Sequence, residues 1–358
     1  TRALGRKQGL AMEHVAIDLG RPNSVLAEFN SAGVKQWTRF RLEPAMLIRL
    51  FEGRPKCRVL IEASTDSEWV AQLLEGLGHE VVVADPNYAP MYGERNRKIK
   101  TDYRDAAALL DANRLGIFRR SHRRSAEQAR IMGLLSVRDG LIKTRTGFIN
   151  LVRAQLRRHG FKLRSGSGES FLKRVEELEL PASLKDLIQP LLSLMPKINE
   201  QLAQIDRQMA QQGRSDPRVE LLQSAPGVGA QTSVAFMALV DDVARFPKAH
   251  KLESYLGAVP SEWTSSEKRI QGGITKRGDS RVRYLLVEAA WSILRRHDPQ
   301  CLELQRWAQG IAQRRGPKVA VVALARRLAG ILYAMLRDNR PFDPTRIGSH
   351  HRPRRKAA

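Results

Sequence analysis

Cysteine is almost absent from this chain: Cys57 and Cys301 are the two among 358 residues. They lie far apart and neither belongs to a CxxC, so the sequence encodes no disulfide framework and no thiolate zinc site. A reduced, cytoplasmic setting is the expectation. Long apolar runs are missing too. No stretch approaches the roughly 18 residues of a bilayer-spanning helix, and no membrane partner is expected. Residues 1–11 are basic without an apolar core, so they read as a loose arm rather than a secretory leader. No fixed-period repeat and no Ser-His-Asp spacing is legible. Acids are scarce relative to bases: 37 Asp and Glu stand against 61 Lys and Arg, a net charge of +24. Such an excess is the footprint of a protein that meets a polyanion. Nucleic acid is the first candidate. An anionic membrane is the second, although no amphipathic basic helix stands alone.

A chain of this length is too long for one ordinary domain and predicts two or three. Residues 12–124 alternate strand and helix signals. HVAIDL (14–19) is a short β-type run ending in an acid. Two alternating runs, 24–29 and 34–42, flank the turn NSAG (30–33). Helical spacing over 44–51 precedes a buried-strand run, RVLI (58–61). A helix over 67–77, a strand EVVVA (80–84) and a helix over 102–115 follow. This order is that of an RNase H-like α/β domain. Residues 125–218 are helical: Leu135, Ile142, Ile149 and Leu156 recur every seven, and Leu191, Met195, Ile198, Leu202, Ile205 and Met209 follow 4-3-4-3 spacing. That pattern fits a coiled-coil arm, in a hairpin or a dimer, and equally a plain helical core. QQGRSDP (212–217 with its preceding Gln) reads as a linker. A mostly helical domain is expected over 219–345, and a basic, disordered tail over 346–358.

Four carboxylates stand where chemistry is possible. Asp18 ends the first strand run, in AIDLG, and Glu62 ends another, in LIEA. If those strands are neighbours, the two acids face one site. Asp102 and Asp105, in KTDYRDA, are three apart and share a helix face, with Thr101 placed to cap the helix. Four converging acids repel one another unless divalent cations intervene, and hard oxygen ligands suit Mg2+. A metal pair there can serve phosphoryl transfer. Taken singly, each acid is more ordinary: a strand-end Asp is usually a turn or cap residue, and acids in a first helical turn favour the helix dipole. Asp66 and Asp85 are nearby but worse placed.

Two further segments stand out. Pro226-Gly227-Val228-Gly229 lies between helical runs like a helix-hairpin-helix turn, whose backbone N–H groups can hold a phosphate through Gly227 and Gly229. The plain alternative is a glycine turn packing two helices. Residues 255–283, YLGAVPSEWTSSEKRIQGGITKRGDSRVR, carry consecutive hydroxyls at Thr264, Ser265 and Ser266 beside Lys268, Arg269, Lys276, Arg277, Arg281 and Arg283. An activated serine can attack a phosphodiester, and the cations can hold the phosphate. By residue chemistry alone, a solvated loop before a phosphate-binding helix is the simpler reading.

Taken together, AIDLG, IEAS, KTDYRDA, SAPGVG and YLGAVPSEWTSSEK…GGITKRG resemble the DEDD-type insertion-sequence transposases related to the pilin-gene DNA invertases, understood as RNA-guided serine recombinases. The resemblance spans about residues 12 to 345. It implies a RuvC-like, RNase H-like domain whose quartet is Asp18, Glu62, Asp102 and Asp105, binding Mg2+, and a C-terminal transposase domain with a nucleophilic serine at Ser265. The family's usual Ser-Gly pair is Ser265-Ser266 here, which leaves Ser266 as the second choice, and IEAS stands for the commoner IEAT. The implied activity is cutting and rejoining of donor and target DNA through a 5′-phosphoserine link, directed by a structured noncoding (bridge) RNA. The implied assembly is a homo-oligomer, dimer or tetramer, acting on the bacterial nucleoid. Two rivals are a RuvC-like Mg-dependent nuclease or junction resolvase that forms no covalent intermediate, and a nucleic-acid-binding protein that has lost catalysis.

Overall fold

A computed structural model describes residues 12–92, 101–265 and 268–347. Ser266, the arm 1–11 and the tail beyond 347 lie outside the described residues. The chain divides into two compact units, Thr1–Arg123 and Arg124–Ala358.

The first unit runs β1 (Glu13–Asp18), β2 (Asn23–Phe29), β3 (Lys35–Arg41), α1 (Pro44–Phe51), β4 (Cys57–Glu62), α2 (Ser67–Gly76), β5 (Glu80–Ala84), a 3-10 turn (Ala89–Tyr92) and α3 (Asp102–Leu115). Its sheet has the order β3-β2-β1-β4-β5. The first three strands are antiparallel, as hairpin connections allow, while β1, β4 and β5 are parallel and joined through helices. In the turn 30–33 the Asn30 side chain accepts from the amides of Ala32 and Val34 at 3.0 and 2.9 Å, closing the β2–β3 hairpin. The strands have a period of two, so the pleat sorts each one between two cores. Val15, Ile17, Val59, Ile61, Val81 and Val83 pack with α1 and α2. Ala16, Leu60, Val82 and Ala84 pack with Ala106, Leu109 and Leu110 of α3. The result is an α/β domain with a mixed sheet and helices on both faces.

Within the first core, buried His79 is a packing residue. Its Nε2 faces the Phe51 carbonyl at 3.1 Å and so carries the proton, while Nδ1 accepts from the Cys57 amide at 3.4 Å. Burial pushes the adjoining Cys57 thiol up to about 11.

The second unit contains α4 (Ala126–Arg158), α5 (Phe171–Glu176), α6 (Ala182–Ser215), α7 (Pro217–Gln223), α8 (Ala230–Val240), α9 (Ala249–Tyr255), a hairpin of β6 (Pro260–Ser265) and β7 (Lys268–Ile274), α10 (Ser280–Arg295), α11 (Leu302–Arg315) and α12 (Pro317–Asp338). Helices α4 and α6 lie antiparallel: Arg138 pairs with Asp206 at 2.6 Å, and Arg145 donates to Asn199 at 2.9 Å. Leu202 of α6 is buried near the middle of this pair; Leu135 of α4 with Ile205 and Met209 of α6 is buried at one end, and Leu156 with Met195 at the other. Between them Ile142 and Ile198 are only half-buried.

Three expectations need correction. Residues 212–217 form no linker: α6 continues to Ser215 and Asp216 caps α7. A Cβ on Gly213 would lie 3.0 Å from Val234, so the glycine lets α6 approach α8 closely, and one core spans both helical regions. The hydroxyl-rich segment of the helical domain is a β-hairpin. Finally, α12 has the length and apolar composition of a membrane-spanning helix, which simple run-counting overlooked because Arg326 and Arg327 interrupt it. Its Leu324, Leu328, Leu332 and Tyr333 are buried in the core of this unit.

Candidate functional site

The parallel pairing of β1 with β4 aligns Ile17 with Ile61. One step further along, Asp18 and Glu62 end neighbouring strands, about 4.8 Å apart by ordinary strand spacing. Strand alternation puts Asp18 in line with Ala16, and Glu62 in line with Leu60. Both acids therefore belong to the face that α3 covers.

Helix α3 is docked by a buried polar residue. Asn113 donates through Nδ2 to the carbonyls of Val15 and Arg58, at 2.8 and 2.9 Å, and its Oδ1 accepts from His14 Nδ1 at 3.3 Å. Asn113 thus fixes the C-terminal half of α3 against the beginnings of β1 and β4, so the helix runs back toward their ends. From Asn113 to Asp105 is eight residues, about 12 Å of helix. From Val15 to Asp18 is three residues, about 10 Å of strand. Asp105 therefore arrives level with Asp18.

Asp105 is 6% exposed, one of few buried charged residues among those described. Asp102, one turn earlier, is exposed. Both lie in the first turn of α3, where the helix dipole favours anions. Thr101 caps that turn, its hydroxyl accepting from the Arg104 amide at 3.3 Å. Tyr92, closing the 3-10 turn, donates its phenol to Glu62.

Among the described residues, no group of three or more carboxylate, imidazole or thiol side chains closes around one point. The donor set itself is all carboxylate oxygen, which is the class hard divalent cations take.

Ser265 belongs to the other unit. The β6–β7 register pairs Ser265 with Lys268 and Thr264 with Arg269, so Ser265 is the last strand residue before the loop. Trp263 and Ile270 face each other across this ladder and both are exposed. Lys276 and Arg277 are exposed just after the hairpin. Arg281 and Arg283 are engaged internally. Arg281 pairs with Asp279 at 3.0 Å and donates to Ser136 of α4. Arg283 donates to the carbonyl of Leu256 at 2.9 Å. Burial pushes the Asp279 carboxyl up, but Arg281 and the amides of Val282 and Arg281 outweigh it and hold the group below the usual range.

The glycine turn packs helices. Gly227 has φ +76°, and a Cβ there would sit 2.6 Å from the Ala289 carbonyl of α10. Gly229 has open space around it and begins α8, whose residues from Thr232 to Val240 are all buried.

Sequence reading missed Tyr92, Asn113 and the hairpin. A polar residue within an apolar helix stripe, eight places after Asp105, was the available signal for Asn113. Two residues between PSEWTS and KRIQGGI were the signal for the hairpin.

Comparison with known proteins gives a consistent result. Residues 219–305 match the model described as Transposase IS116/IS110/IS902 family, and residues 15–161 match a second transposase model, that of the DEDD transposases of IS110 type. A probable family 20 transposase of Pseudomonas aeruginosa is 30% identical over 312 residues, covering 86% of this chain and 91% of the relative. The transposase of insertion sequence element IS1111A of Coxiella burnetii is 26% identical over 317 residues, 86% of each chain. The pilin gene-inverting protein of Moraxella lacunata is 28% identical over 151 residues, 40% of this chain and 46% of that one. The chain belongs to the IS116/IS110/IS902 family of transposases.

Proposed function

We propose that this transposase cuts and rejoins DNA through a 5′-phosphoserine intermediate on Ser265, with Asp18, Glu62, Asp102 and Asp105 as its acidic centre in an RNase H-like, RuvC-like domain. The observation that carries the acidic centre is the placement of Asp18 and Glu62 on adjacent parallel strand ends, on the face where buried Asp105 arrives. These residues would hold Mg2+, which when bound supplies charge neutralisation and polarisation of the scissile phosphate. In the strand exchange, Ser265 Oγ bonds to phosphorus, the bond from phosphorus to the 3′ oxygen breaks, and the hydroxyl proton ends on that 3′ oxygen. Rejoining reverses the step. Storing the phosphodiester on serine conserves the bond energy that hydrolysis would lose.

The net charge of +24 supports a protein that holds donor DNA, target DNA and a guide RNA together. Base pairing would then choose the sequence and the protein would read backbone and shape. Exposed Val137, Leu151, Leu187 and Leu194 along α4 and α6 support a dimer or tetramer. The pilin gene-inverting relative supports recombination that conserves both ends.

The test is denaturing-gel trapping of protein on radiolabelled element-end DNA with Mg2+ and the flanking RNA. An adduct lost in Ser265→Ala, and cleavage lost in Asp18→Asn and Asp105→Asn, are expected. Strand cutting that survives Ser265→Ala without an adduct would establish the hydrolytic nuclease reading instead.

A further inference from the structure

The second unit contains a cavity of about 890 Å3, bounded by α9, α11, α12 and the segment after α12, that the proposed chemistry does not use. Five arginines line it: Arg306, Arg327, Arg337, Arg340 and Arg346. Three have carboxylates beside them. Arg306 pairs with Glu303 at 2.6 Å, Arg337 with Asp338 at 2.7 Å and Arg346 with Asp343 at 3.4 Å. The remaining lining acid, Glu253, is held by Arg326 at 2.5 Å. Among the described residues, neither Arg327 nor Arg340 forms an ion pair with a carboxylate, although the charge of Arg340 acts on the Asp338 carboxyl and helps hold it below the usual range.

Arg327 is the more informative of the two. It is half-buried, and its guanidinium carbon sits 4.5 Å from the centroid of the Trp307 ring. Among the described residues its hydrogen-bond acceptor is the Ile347 carbonyl, at 2.6 Å from Nη2. A guanidinium has five N–H donors, so most of the fork is unused. Burial pulls its pKa below the usual range, with no carboxylate opposing. A partly desolvated cation without an anion costs free energy, and the contact with the Trp307 ring and the bond to the Ile347 carbonyl restrain the group. A fork held in this way is preorganised for the two oxygens of a phosphate. Arg340, exposed at the rim, adds a second charge. The walls beside them are apolar and aromatic, with Trp307, Ile331 and Phe342.

We propose that this cavity takes one unpaired nucleotide of a single-stranded nucleic acid, its phosphate on Arg327 and Arg340 and its base against Trp307 and Phe342. The volume lies in the range of small-ligand sites. A paired, stacked base cannot enter such a concavity without leaving its duplex, whereas a splayed base on an aromatic wall is the usual mode of single-strand recognition. The proposal rests on the chain being a nucleic-acid enzyme, but not on Ser265 chemistry.

The test uses the full chain in EDTA, so that binding is measured without cutting. Fluorescence anisotropy at one fixed salt concentration would compare a short single-stranded RNA, the matching single-stranded DNA and the matching duplex. Arg327→Gln and Arg340→Ala are each expected to weaken single-strand binding about tenfold, the loss of a charged hydrogen bond, and to leave duplex binding unchanged. Loss with RNA only, DNA only or both names the source of the nucleotide. Photocrosslinking of a 5-iodouridine-containing strand should map to Trp307 or Phe342. Equal losses for single strand and duplex, or no loss together with crosslinks elsewhere, would overturn the site. Arg340 is exposed, so its variant and the wild-type crosslink decide the matter even if Arg327→Gln fails to fold. The adduct on Ser265 is scored separately, so either idea can fail alone.

Discussion

Gly227 and Gly229 look alike in the sequence, two residues apart in one turn, but the structure assigns them different costs on substitution. A methyl group on Gly227 meets the Ala289 carbonyl at 2.6 Å and Ile293 at 3.0 Å, and the backbone there has φ +76°. An L-residue in the left-handed region costs about 1–2 kcal/mol, and overpacking costs about 1–3 kcal/mol. Gly227→Ala should therefore destabilise the second unit by roughly 2–5 kcal/mol. At Gly229 nothing lies within 4 Å and φ is −92°. Gly229→Ala loses only the preference of a helix N-cap for glycine over alanine, below about 1 kcal/mol. Hydrogen exchange of the amides in α8 and α10 reads the difference locally, which avoids assuming that the two units unfold together. Protection in both helices should fall sharply in the first variant and barely move in the second. Equal protection in both variants would refute the packing account of Gly227, and the turn would then be better explained by the phosphate contact expected from its sequence.

Three other outcomes follow from the geometry. Asn113→Leu removes both donors that dock α3, so the first unit should lose about 1–3 kcal/mol in urea unfolding; no change would mean that apolar packing alone positions Asp105. Asp279 has a folded pKa below its ordinary 3.8, so its stabilising contribution is present above that value and is lost as pH falls through the folded value. Asp279→Asn should cost about 1–2 kcal/mol near neutrality and flatten the acid limb below about pH 4 in a thermal-melting series; an unchanged limb would remove Asp279 from the acid response. Cys57 and Cys301 are both buried with thiols pushed up by burial. A thiol reagent should label neither until the chain unfolds, and fast labelling of the native protein would show that one of these cores opens.

The amino-acid sequence by itself determined the local features. Short apolar runs located β1, β4 and β5, alternation located β2 and β3, and a helical signal located α3, which placed Asp18 and Glu62 at strand ends and Asp102 and Asp105 in a first helical turn, because such patterns are a property of neighbouring residues. The excess of basic charge needed no fold at all. Tertiary structure decided everything that depends on residues distant in sequence. Strand order made β1 and β4 neighbours, the Asn113 contacts set the direction of α3, and Tyr92 reached Glu62 from thirty residues away. The basic residues after the hydroxyls read alike in the sequence. Only the fold separates Arg281 and Arg283, consumed by internal partners, from the exposed Lys276 and Arg277. The hairpin escaped notice because two strands carrying glycines and charges have a weak pattern, and their pairing is fixed by cross-strand hydrogen bonds rather than by an apolar stripe. The Arg327 cavity is invisible for the same reason: an arginine within an apolar helix looks like any other until Trp307 is seen beneath it and no carboxylate beside it.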